Sequence, residues 1–153
     1  MRKILKPLLL ILLILHCVLI FGFSAQNRQQ SASKSNPITH SLVGTEKSED
    51  MTMREWNDMK NMTDYTVRKS AHIALYAILG VLAYLNARSY LKKQHGLTAI
   101  LFCTLYAITD EIHQAFVPGR AGMVSDVLID FAGIMLGIGI VCLIFKFKRR
   151  KKA

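Results

Sequence analysis

Acid is scarce and confined in this 153-residue chain: 10 aspartates and glutamates stand against 20 lysines and arginines, and beyond position 64 acid occurs only between Asp110 and Asp130. Cysteine is equally thin. Cys17, Cys103 and Cys142 are an odd number, each inside an apolar run, so neither a disulfide framework nor a zinc site is indicated and the three read as small apolar fillers. The formal net charge of +10 does not point to nucleic acid, because the basic residues sit at the ends of apolar segments and alternate with none of the aromatic or glycine patterns of RNA- or DNA-binding modules. Two processing signals are also missing. Phe23 stands where an Ala-x-Ala cleavage site wants a small side chain, and His16 before Cys17 does not fit a lipoprotein box, so an uncleaved first helix is favoured over a signal peptide.

What is abundant is hydrocarbon: 52% of residues are hydrophobic, which in one domain of this length points to an integral membrane protein. Residues 1–24 read as a first spanning helix and possible signal anchor, 25–64 as an extracytoplasmic linker, 65–147 as a three-helix membrane domain and 148–153 as a basic tail. Within the linker, residues 26–50 are serine-rich, broken by Pro37 and Gly44, and expected to be flexible. From Met51 an interfacial helix carrying Trp56 is expected, with a solvated helix packed on the bundle as the alternative. The second span is expected over Ser70 to Ala87 and the fourth over Met123 to Phe145. The fold class is therefore all-α, an integral membrane four-helix bundle.

The third apolar run, Gly96 to Thr109, is too short to cross a bilayer unless its helix continues through Asp110 to Val117 and stops at Pro118-Gly119. Those 22 residues give a helix of about 33 Å. The extension carries Asp110, Glu111, His113 and Gln114 below the membrane surface, where charge is costly, at about 2.5 to 3.5 kcal/mol for a transmembrane Asp or Arg. Such a corner needs mutual pairing, water or a ligand. Lysines and arginines at the flanks put both termini in the cytoplasm and the Asp110 to Asp130 corner outside.

Helical spacing brings one polar edge from each of three helices to this outer level. Lys69, His72 and Tyr76 step i, i+3, i+7 with Arg68 alongside; Asp110, His113 and Gln114 share a face while Glu111 is turned about 100° away; Asp126 and Asp130 lie one turn apart and continue into the small-xxx-small pair Gly133 and Gly137. Three uses of the cluster stay open. Arg68, Lys69 and Arg120 with the two histidines suit an anionic ligand. The near balance of charge also suits a self-paired network that locks the helices. A divalent metal on Asp110, His113, His72 and Asp126 is the third, with Glu111, His113 and Asp126 as candidate catalytic residues and Glu111 or Asp130 as general base. No organic cofactor is indicated.

The segments Arg68-Lys69-x-x-His72-x-x-x-Tyr76-x-x-Leu79, Asp110-Glu111-x-His113-Gln114-x-Phe116-x-Pro118-Gly119-Arg120 and Ser125-Asp126-Val127 with Asp130 and Gly133 resemble, in that order, the VanZ-like family of small bacterial membrane proteins. The resemblance covers roughly Tyr65 to Phe145. Many members have Asn where Asp130 stands. It implies a protein of the bacterial cell envelope, associated through the family's namesake with low-level resistance to teicoplanin-type glycopeptides, and implies no particular reaction. An outward-facing polar pocket at headgroup depth would meet a membrane lipid, a lipid-linked cell-wall precursor or a lipoglycopeptide. A membrane-embedded hydrolase or transferase acting on a lipid-linked substrate, and a purely structural scaffold, are the competing expectations.

Overall fold

Long uninterrupted apolar stretches become helices because a chain in lipid must satisfy its backbone groups internally. The computed structural model describes residues 2–26, 28–44, 47–120 and 122–151. Its elements are α1 (Arg2–Ser24), α2 (Arg28–Val43), α3 (Met53–Tyr90), α4 (His95–Ala115) and α5 (Val124–Arg150), and no strand occurs among the described residues. The protein is all-α. Three stretches are long and apolar enough to cross a membrane: Ile4–Ser24 of α1, and all of α3 and of α5. α4 is not among them, because Asp110, Glu111, His113 and Gln114 fill its last two turns.

Three expectations need correction. The serine-rich stretch is not a flexible linker: α2 runs through Pro37 and is tied to α3 where the Ser35 hydroxyl donates to Oδ1 of Asp64. The interfacial helix and second span are not separate either, since α3 is one helix of 38 residues, about 57 Å, nearly twice the hydrocarbon thickness of about 30 Å. No glycine or proline interrupts it before Gly80. A capping box starts it: Thr52 accepts from the Glu55 amide at 3.3 Å while the Glu55 carboxylate accepts from the Thr52 amide at 2.8 Å. Finally, the third apolar run does keep its helix past Thr109 but ends at Ala115, two residues earlier than expected.

α3 and α5 form the tightest seam, and glycine makes it. A Cβ on Gly137 would lie 2.0 Å from the Ala77 carbonyl oxygen, one on Gly133 2.6 Å from that of Ile73, and one on Gly80 2.7 Å from that of Ile134. Only a residue without a side chain allows two helix backbones this close. Around the seam Tyr76, Leu79 and Ile134 are fully buried. α1 leaves most of its leucines and isoleucines exposed, as a lipid-facing helix should, and hydrogen bonds from or to its own backbone and side chains tie it to α3 and α4. His16 Nε2 meets the Leu75 carbonyl at 2.9 Å, the Tyr106 hydroxyl donates to the Cys17 carbonyl at 2.7 Å, and Asn86 Nδ2 donates to the Leu9 carbonyl at 2.8 Å.

Candidate functional site

The turn after α4 aims the site. Val117 O accepts from Arg120 N at 3.1 Å across Pro118-Gly119, with Gly119 at φ 77°, the positive value that position i+2 of a type II turn demands. The chain then passes so close to α4 that a Cβ on Gly122 would lie 3.0 Å from Ala115 Cβ. Glu111 secures this corner: its Oε1 accepts from the Met123 amide at 2.7 Å, satisfying a donor at the start of α5.

The polar edge of α3 meets its counterparts rung by rung. Lys69 Nζ pairs with Asp126 Oδ1 at 2.5 Å, His72 Nδ1 meets Asp130 Oδ1 at 3.3 Å, and the Tyr76 hydroxyl donates to Asp110 Oδ2 at 3.1 Å. A second line leads outward from the same carboxylate, Gln114 Nε2 donating to Asp110 Oδ2 at 3.1 Å and Arg120 Nη1 donating to Gln114 Oε1 at 2.9 Å. Most of these acids are used up. Asp126 and Asp130 hold α5 to α3, Asp110 holds α4 to α3, and Arg68 pairs with Asp64 one turn back at 3.1 Å. Three carboxylate oxygens, Asp110 Oδ1, Glu111 Oε2 and Asp130 Oδ2, are buried with no hydrogen-bond partner among the described residues, each an acceptor that asks for a donor.

Above the ladder lies a cavity of about 250 Å³, lined by Arg68, Lys69, His72, Gln114, Arg120 and Asp126 together with Ser31, Tyr65, Gly119 and Met123. Six of the residues expected at the site are therefore gathered on it. Tyr76, Asp110, Glu111 and Asp130 lie outside its lining, engaged in the contacts just given. His113 does not converge at all: its ring packs on Phe21 of α1, centroids 4.4 Å apart. The expected metal set of Asp110, His113, His72 and Asp126 is thereby split, and no three His, Cys, Asp or Glu side chains among the described residues form a group able to hold a metal ion.

Arg120 differs from Arg68 and Lys69, the other lysine and arginine side chains on the cavity. Among the described residues no carboxylate forms an ion pair with it; its hydrogen-bond partner is the neutral Gln114. Burial, and then the Arg68 guanidinium nearby, push the Arg120 pKa below the ordinary arginine value, while Asp110, Glu111 and Asp126 act in the opposite sense. An arginine remains charged under such a shift, so a guanidinium with no ion-pair partner among the described residues stands at the edge of a cavity. The serine-rich segment supplied wall that residue type alone did not reveal, although Ser31, Ser35 and Thr39 repeat at i, i+4, i+8 and turn to α3.

Together the apolar helices and the polar end of their bundle define a multi-pass membrane protein with a cationic cavity beside a cross-helix charge ladder. The chain belongs to the VanZ/LLP1 family, whose pattern matches residues 9–146 and so takes in α1 and α2 as well as the segments that carried the resemblance. No curated protein and no solved structure matches it.

Proposed function

We propose that this VanZ/LLP1 protein binds an anionic envelope ligand, a membrane lipid, lipid-linked cell-wall precursor or lipoglycopeptide, in the cavity beside Arg120. In this reading α4 is a fourth crossing: its 21 residues give about 31 Å, enough for the hydrocarbon layer. Both ends of the chain then lie in the cytoplasm of a bacterial cell, because Arg2, Lys3 and Lys6 at one end and six basic residues from Lys146 to Lys152 at the other outweigh the single Arg120 of the outer corner. The cavity opens at the outer leaflet.

One observation carries the proposal: Arg120 faces the cavity with a neutral hydrogen-bond partner, while Lys69 and Arg68 beside it are already paired with Asp126 and Asp64. An unpaired guanidinium in a partly desolvated site is what an incoming phosphate or carboxylate would neutralise. The ladder beneath serves the structural role that a self-paired network predicts, so the two readings divide the cluster between them. Hydrolysis or transfer draws less support from the geometry. Of Glu111, His113 and Asp126 only Asp126 reaches the cavity, and Lys69 engages it. A contribution to teicoplanin resistance belongs to the same proposal, since a lipid-tailed glycopeptide with a carboxylate offers the site the group it lacks.

Lipid extracted from detergent-washed protein should test it. Wild-type protein is expected to carry anionic species enriched over the bulk membrane, and Arg120→Gln protein the bulk composition; the same lipid profile in both would reject the proposal.

A further inference from the structure

A second cavity, of about 370 Å³, adjoins the first and shares Ser31, Arg68, His72 and Arg120 with it. Its character is different. Phe23 of α1, Ile38 of α2 and Val67, Ala71 and Leu75 of α3 make most of its surface hydrocarbon. The α3 residues repeat at i, i+4, i+8, a strip about 12 Å long leading away from the two arginines. On α2, a mostly polar helix, Ile38 on the groove wall is 53% exposed, and its i+4 neighbour Leu42, 68% exposed, continues the apolar strip along the same helix face. A cationic cavity opening directly into a hydrocarbon groove matches one kind of molecule, an amphiphile whose charge and chain are joined at one point.

We infer that the groove between α1, α2 and α3 holds an acyl chain of a phosphate-bearing membrane lipid, with the phosphate on Arg120 and Arg68. This rests on the headgroup reading above and narrows it. Two guanidiniums share the junction of the two cavities; Arg68 engages Asp64 through Nη2 and has further N–H donors, so a phosphate diester offers acceptors to both, where a single carboxylate is matched by one fork. The chain is bound by burial, the headgroup by charge, and the two contributions separate experimentally.

Full-length protein in detergent, titrated with dioleoyl phosphatidylglycerol and dioleoyl phosphatidylcholine and read by native mass spectrometry, gives total lipid bound and the headgroup ratio. Wild type is expected to favour phosphatidylglycerol. Ala71→Trp, at an exposed α3 position on the groove wall, is expected to lower the affinity for both lipids about tenfold or more and leave the ratio unchanged. Arg120→Gln is expected to flatten the ratio. Val67→Phe, with helicity checked by circular dichroism, repeats the groove test should Ala71→Trp fold poorly. Undiminished lipid binding in folded groove variants overturns the acyl-chain inference and leaves the headgroup reading intact. A flat ratio in wild type overturns the headgroup reading while the groove variants still report on the chain.

Discussion

Replacing Gly137 with alanine adds one methyl group, and the added carbon would lie 2.0 Å from the Ala77 carbonyl oxygen on α3. Ordinary contact begins more than an ångström further out. The obstacle is backbone, with no rotamer to swing aside, so the helices must part along the seam that also holds Tyr76, Leu79 and Ile134. Overpacking of this kind costs about 1 to 3 kcal/mol, and alanine returns up to about 1 kcal/mol in helix propensity; a clash at 2.0 Å with backbone belongs at the upper end, leaving a net loss of about 2 kcal/mol. Gly139 is the control. It lies half a turn further along the same helix, and a Cβ there meets nothing within 4 Å, so Gly139→Ala should be neutral or mildly stabilising. Reversible unfolding in mixed micelles, followed by circular dichroism, gives both values. Equal effects of the two substitutions would refute the close seam between α3 and α5.

Other consequences follow from single contacts. The Lys69–Asp126 pair, with side chains 20% and 15% exposed, should show a coupling of about 1 to 2 kcal/mol in a double-mutant cycle built on Lys69→Met and Asp126→Asn; independent effects would mean that the ladder does not hold α5 to α3. Glu111→Ala removes the acceptor of the Met123 amide and should destabilise the corner by about 1 to 3 kcal/mol while folded copies keep their ligand. Loss of turnover on a lipid-linked substrate with stability unchanged would instead make Glu111 a catalyst. Thr52→Ala removes the hydroxyl that accepts from the Glu55 amide in the capping box and should cost about 0.5 to 2 kcal/mol of stability. Emission from Trp56, buried four residues further on, should shift in the Thr52→Ala protein; unchanged emission and stability would mean that the cap does not hold the start of α3.

The continuation of α4 past Thr109 was readable because Gly96 to Thr109 is too short to cross, and the edge Lys69, His72, Tyr76 because the helical period puts those positions together. Partners were not readable. Spacing says which side chains share a face and leaves open which helix comes opposite, so Arg68 was expected to hold an anion together with Lys69 and Arg120 and is found bonded to Asp64. His113 shows the same limit: it does lie near the face of Asp110, but α1 docks there, and the largely apolar α1 offers only His16 as a polar side chain in its middle, which does not say where the helix docks. α2 was misjudged for a different reason. Its serines, asparagine and proline have weak helix propensity, and the tie from Ser35 to Asp64 is a tertiary contact that local propensity does not contain. The unbroken α3 was readable after all, since charged residues at Arg68 and Lys69 mark a membrane boundary and do not stop a helix.

Affinity for one anionic lipid, dioleoyl phosphatidylglycerol, should be measured in wild-type, Arg120→Lys and Arg120→Gln proteins at a single ionic strength. A hydrogen bond to a charged group contributes about 1.5 to 3 kcal/mol, so removing the guanidinium should weaken binding about 10- to 100-fold. Lysine, which keeps the charge and loses the fork, should fall between. That order, arginine above lysine above glutamine, is the expected result; three equal affinities would contradict anion binding at Arg120.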